Sequence, residues 1–294
     1  MAHPQIAVFA RLARENSKPT RVIFGQKTLL SRTMHDIRYD SLHDEFIVTN
    51  PYAQAILFFR GGANGEEAPI RYIQGPKTML AGAVYSGLDR AEVDPVNNEV
   101  LVGVGNTVLF FPRDANGDVA PKRILKNVDP RFNAGQSTAV DNVHNLVVVG
   151  GSIRGGAQGG VDAGASAGGG GGRRFNGALA IFDRTANGEV KPLRLIAGER
   201  TLITRINQMQ VYAPKGWIVA SQPGAAGEQE PEGTFIGIWS VNDDGDVPPR
   251  WKLGGPKSQL KKPRGVTINV KDKEIIAADM RLNSVFSFYF PEIF

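Results

Sequence analysis

The chain has 294 residues, 41% of them hydrophobic, and a formal charge of +5 from 34 basic against 29 acidic side chains. This content suffices for a large core, and no window approaches the roughly 18 consecutive apolar residues of a membrane-spanning helix. The lack of cysteine excludes disulfides, thiolate catalysis and cysteine-ligated metals, while the small basic excess favours anionic partners without marking a dedicated nucleic-acid binder.

The predicted elements are short strands from end to end, because β-branched and aromatic runs alternate with Asn, Asp, Gly and Pro turns. Ile6 to Arg11 and Arg21 to Gly25 come first. Triplets of strands follow: His35 to Asp40, Glu45 to Thr49 and Ala55 to Phe59, then Ala91 to Asp94, Glu99 to Val104 and Thr107 to Phe111. The middle triplet is Thr138 to Asp141, Asn145 to Gly150 and Ala178 to Phe182. The last two are Gln208 to Tyr212, Gly216 to Ser221 and Phe235 to Trp239, then Gly265 to Val270, Glu274 to Asp279 and Ser284 to Phe290.

A recurring phrase links the triplets. Ala63-Asn64-Gly65 precedes Pro69-Ile70-Arg71, Ala115-Asn116-Gly117 precedes Pro121-Lys122-Arg123, and Ala186-Asn187-Gly188 precedes Pro192-Leu193-Arg194. Looser copies stand at Pro19-Thr20-Arg21 and at Asp244-Gly245 with Pro248-Pro249-Arg250. Each Pro-x-Arg opens a fourth, outer strand, where the missing proline N–H costs nothing. Repetition at a period of about fifty residues marks units that bury their faces only against neighbours.

The fold class expected is all-β: a single β-propeller domain over residues 1–294, built from four-stranded antiparallel blades. First strands number five, so five blades are expected, six with one incomplete being the alternative. The N-terminal strands exceed what five closed blades need, and Arg21 to Gly25 is expected to close the last blade. The surplus strand offers a route to self-association. Residues 152–176 are so rich in glycine that they read as a flexible insertion loop.

The final triplet, Gly265-Val266-Thr267-Ile268-Asn269-Val270, Glu274-Ile275-Ile276-Ala277-Ala278-Asp279 and Asn283-Ser284-Val285-Phe286, resembles the repeats of NHL and SMP-30/gluconolactonase-like propellers. That resemblance implies an often exported protein, although the first residues carry no apolar signal stretch. It also implies, as one alternative, a metal-dependent lactonase-like hydrolase with its site in the central channel. The residues do not follow that family's metal pattern. Its N-terminal Glu-Gly-Pro-type motif has no counterpart, because Glu15 is the one glutamate before Gly25. Asp40, Asp94 and Asp141 recur where a turn needs an aspartate, and His3, His35, His43 and His144 lack ligand spacing. The calcium-loop-like Asp114-Ala115-Asn116-Gly117-Asp118 meets Leu125 at its twelfth position, where that loop needs a bidentate glutamate. No catalytic residue, metal or cofactor is assigned.

A quieter recurrence carries the leading functional expectation. Gly25-Gln26-Lys27-Thr28, Gly75-Pro76-Lys77-Thr78, Gly198-Glu199-Arg200-Thr201 and Gly255-Pro256-Lys257-Ser258 all follow outer strands. Arg32, Arg90, Arg205 and Arg264 lie beyond them, and Arg173 and Arg174 end the glycine tract. Cations copied into four of the five units form a partial ring that would focus positive potential on one face. The expectation is a non-catalytic binding or scaffold propeller for a protein or anionic polymer. RNA binding is a narrower version that would need an exposed aromatic platform beside the cations.

Overall fold

A computed structural model of the chain describes residues 4–32, 34–80, 88–154, 176–224 and 233–294. The expected loop at 152–176, with Arg173 and Arg174, lies almost wholly outside them. The chain divides into two compact units, Met1–Val102 with Leu109–Lys122, and Gly103–Val108 with Arg123–Phe294.

In the first unit, β1 (Gln5–Val8) pairs antiparallel with β2 (Arg21–Phe24). A four-stranded sheet follows in chain order: β3 (Ile37–Asp40), β4 (Glu45–Asn50), β5 (Ala55–Arg60) and β6 (Arg71–Ile73). Next come β7 (Ala91–Asp94), β8 (Glu99–Val104) and β9 (Thr107–Pro112). Phe46 and Phe59 stack at 5.2 Å across the β4–β5 pair, and with Ile23, Val48 and Leu57 they form a buried cluster.

In the second unit, β10 (Arg123–Asn127), β11 (Phe132–Asp141), β12 (Leu146–Ile153) and β13 (Gly177–Asp183) are followed by the short β14 (Gly188–Val190). β15 (Arg194–Ala197) completes the sheet β11–β12–β13–β15. The sheet of β16 (Met209–Tyr212), β17 (Trp217–Gln222), β18 (Phe235–Ser240) and β19 (Trp251–Gly254) comes next. A three-stranded sheet of β20 (Pro263–Asn269), β21 (Glu274–Asp279) and β22 (Ser284–Tyr289) ends the series. The period of two is visible in β17: Ile218 and Ala220 face one buried cluster, while Val219 between them faces the next. The fold class is an all-β, five-bladed β-propeller, as the strand repeat predicts.

The repeated phrase proves to be a latch between successive sheets. On β2 the Val22 N–H donates to Asn64 Oδ1 at 3.2 Å and the Phe24 N–H to the Gly65 carbonyl at 3.0 Å; the Gly65 N–H answers to the Val22 carbonyl at 2.8 Å. Tyr72 with Asn116 and Gly117 repeats this on β6, and Leu195 with Asp244 and Gly245 on β15. On β10 the Ile124 N–H reaches Asn187 Oδ1, and β10 pairs in parallel with β14. Each turn glycine needs a positive φ, +65° at Gly65 and +80° at Gly117, which a side chain would resist. The latch thus covers the outer-strand edge with side-chain and backbone partners.

The Pro-x-Arg arginines complete it. Arg71 donates from Nε to the Arg113 carbonyl at 3.2 Å, Arg123 from Nη1 to the Ala186 carbonyl at 3.1 Å, and Arg194 from Nε to the Val241 carbonyl at 2.7 Å. Arg71 also grips Glu45 through two bonds of 2.9 and 2.6 Å, with Arg113 adding a third at 2.8 Å. The bond to Arg71 holds the Glu45 carboxyl below the usual carboxylate range, against the opposing pull of burial.

One copy is corrected by the register. Phe58 faces Arg71 and Ile181 faces Arg194, but Ile238 faces Trp251, so the fifth copy is Pro249-Arg250-Trp251 rather than Pro248-Pro249-Arg250. Trp251 replaces the latch arginine and meets Trp217 edge-on at 5.1 Å. The sheet after it contains no Asn-Gly turn. Its aromatic residues Phe286, Phe288, Phe290 and Phe294 pack instead on the cluster that buries Ile293.

Candidate functional site

The four Gly-x-Lys-Thr turns fold alike because a hydroxyl closes each one, and three of them are also pinned from the side by an acid. Thr28 Oγ1 donates to the Gly25 carbonyl at 2.6 Å, Leu29 takes a left-handed φ of +57°, and the Leu30 N–H returns to Thr28 Oγ1 at 3.3 Å. Thr78 and Thr201 do the same, and Ser258 supplies the hydroxyl in the fourth turn. From the side, the backbone N–H groups of Lys27, Lys77 and Arg200 donate to Glu66, Asp118 and Asp246 at 3.3, 2.7 and 2.7 Å. A Cβ on Gly75 would stand 2.5 Å from the Asp118 side chain, so the glycine admits the acid.

The side chains of Lys27 and Lys77 in the first unit, and of Arg200 and Lys257 in the second, are exposed. The arginines beyond the turns diverge in environment. Arg32 is exposed, whereas Arg90 is buried and its Nη1 lies 2.5 Å from Asp89 Oδ2. Arg205 and Arg264 are half-buried; the Arg205 N–H donates to Gln222 Oε1 at 3.0 Å, and Arg264 Nη1 approaches Met280 Sδ at 3.3 Å. The turn cations therefore project into solvent, while Arg90 is committed to a local ion pair.

The first-turn aspartates are turn-formers, as their positions predict. Asp40 Oδ1 accepts the Leu42 and His43 N–H groups and Asp141 Oδ1 those of Val143 and His144. In both, the second oxygen meets the histidine Nδ1 at 2.8 Å. No group of three or more His, Cys, Asp or Glu side chains with metal-holding geometry occurs among the described residues.

A buried charge cluster on β3 and β7, the first strands of their sheets, is the feature that sequence reasoning missed. Arg38 is 8% exposed; its Nε donates to the Ala91 carbonyl at 3.2 Å and lies 3.4 Å from Asp36 Oδ2. Its Nη2 is 3.8 Å from Glu92 Oε2. Asp89, beside Arg90, is also bonded to His35 Nδ1. Burial pushes the Glu92 carboxyl up to about 7, more than Arg38 and the 2.9 Å bond from the Val93 N–H restore. For Arg38 burial opposes the charge, but the fields of Asp36 and Glu92 outweigh it and the guanidinium is held above its ordinary range. Alternation would have placed Glu92 on one face of β7, but nothing in the sequence marks that face as enclosed. A carboxyl titrating near neutrality can exchange a proton at working pH.

No protein-family model matches the chain, and no curated protein matches it in sequence. Among solved structures it is similar to a protein of Bacteroides uniformis described as a candidate 6-phosphogluconolactonase. The identity is 11%, the match covers 94% of this chain and 71% of that one, and the TM-score is 0.56. At this identity the likeness is one of fold.

Proposed function

We propose that the chain is a binding propeller that engages an anionic polymer or an acidic protein surface through its Gly-x-Lys-Thr turns. The observation that carries this is the division of labour within three of the four turns. The backbone N–H of Lys27, Lys77 or Arg200 is fixed to an acidic residue of the adjoining turn while the charged end stays exposed. The turn backbone is already fixed, so meeting an anion has only the side-chain rotamers left to order. The finer kinship with NHL and SMP-30-like proteins belongs to the same reading.

Replacing Lys27, Lys77 and Lys257 together by Gln, and in a second variant by Glu, is expected to weaken polyphosphate binding and to flatten its dependence on salt. Binding unchanged in both variants would return the turns to a purely structural role. A second reading, a lactonase-like hydrolase, is favoured by the Glu92 carboxyl near neutrality and by the name of the structural neighbour. Under it, Glu92→Gln abolishes sugar-lactone hydrolysis followed by pH-stat; under the binding reading no such hydrolysis is measured in the parent chain.

A further inference from the structure

Apart from those turns, the second unit holds a cleft of about 410 Å³ onto which Arg131, Arg154 and Arg194 all open. Ile153, Pro192, Leu193 and Leu195 add apolar lining, and Asp244 also lines it. The arginines are brought together by the sheet: the Arg154 N–H donates to the Arg131 carbonyl at 2.8 Å, and Arg194 is tied to the Val241 carbonyl by the latch. Arg131 grips Asp129 at 2.7 Å yet keeps 71% of its side chain exposed. Asp244 Oδ1 accepts the Leu195 N–H at 2.8 Å. Asp129 is thus paired, Asp244 acts on Arg131 through its field, and Arg154 and Arg194 form no ion pair with a carboxylate among the described residues, so the arginines outnumber the carboxylates here.

We propose that this cleft docks an acidic segment of a partner protein in which carboxylates flank an apolar side chain. Guanidinium forks match carboxylates bidentately and are more weakly hydrated than ammonium groups, so they bind them at modest desolvation cost. Leu193, which lines the cleft with the arginines, is 56% exposed and supplies the surface for the apolar residue. An enclosed pocket would bury most of a small ligand; an open cleft with a projecting leucine fits an extended chain lying across it. None of the turn cations lines this cleft, so the site stands or falls independently of the proposed turn surface.

The test is fluorescence anisotropy of the full chain with a labelled Glu-Leu-Glu-Leu-Glu peptide. Its Gln-Leu counterpart and its Glu-Ser counterpart are each expected to bind at least about tenfold more weakly, as are the variants Arg131→Ala and Arg154→Ala with the parent peptide. Arg154→Lys is not expected to restore affinity, and the Lys27, Lys77 and Lys257 substitutions leave it unchanged. Thermal melts confirm that each variant is folded. Equal binding of the Gln-Leu peptide, or undiminished binding by both folded alanine variants, would overturn the proposal. So would displacement by inorganic phosphate at the concentrations at which unlabelled peptide displaces, because that describes a small-anion site.

Discussion

Glu92 shows how little a residue's letter says about its chemistry. In sequence it is one more position of a predicted strand. Once burial beside Arg38 lifts its carboxyl from 4.5 to about 7, it becomes a source of pH dependence. The unfolded chain releases this proton near the ordinary value and the folded chain holds it to neutrality, so the folded state binds more protons between the two. Stability is therefore expected to fall as pH rises from about 4.5 towards 7, by roughly 3 kcal/mol at most from this group. In Glu92→Gln the thermal midpoint should lose that dependence; an unchanged slope would show that the carboxyl titrates normally. Glu45 works in the opposite sense, because its ion pairs with Arg71 and Arg113 are lost on acidification. Both behaviours depend on what surrounds the carboxyl in space, which spacing along the chain does not encode.

At the scale of the element, most strands were legible to within a residue or two because apolar alternation and turn chemistry are local, although β11 begins at Phe132 rather than Thr138 and β12 runs to Ile153 rather than Gly150. The predicted Ala91 to Asp94, Glu99 to Val104 and Glu274 to Asp279 coincide with β7, β8 and β21. The phrase joining them was legible as a repeat but not as a latch, since its hydrogen bonds span 41 to 63 residues. Losing one acceptor should cost about 1 kcal/mol, so Asn116→Ala is expected to lower the urea midpoint modestly. Gly75→Ala should cost more, because its φ of +135° is strained for alanine and the new Cβ meets Asp118. A parental midpoint for Asn116→Ala would show that the latch bond contributes nothing measurable, and one for Gly75→Ala that the Gly-x-Lys-Thr turn accommodates a side chain. The misread fifth copy has the same origin: Pro248-Pro249-Arg250 is the better match in letters, and only pairing with β18 shows that Trp251 occupies the arginine's place.

Over the whole molecule, a charge of +5 spread among 34 basic and 29 acidic residues acts through where the charges are displayed. Exposed turn cations are screened over about 8 Å at physiological salt. Polyphosphate binding by the turns should accordingly weaken more steeply with salt than binding of the alternating peptide by the arginine cleft, whose apolar contact is insensitive to screening. Titrations at several salt concentrations would show equal slopes if both ligands met the same surface. The sequence by itself determined the all-β class, the five first strands, the turn-forming aspartates and the repeat, because each arises from contacts within a few residues or from periodicity. Only the tertiary structure decided which repeated residues are joints, that Arg90 is buried in an ion pair while Lys27 is free to project, and that Arg131, Arg154 and Arg194 share one cleft. Those outcomes rest on burial and on meetings between distant segments, and a side chain's charge, exposure and partners are properties of the space it occupies.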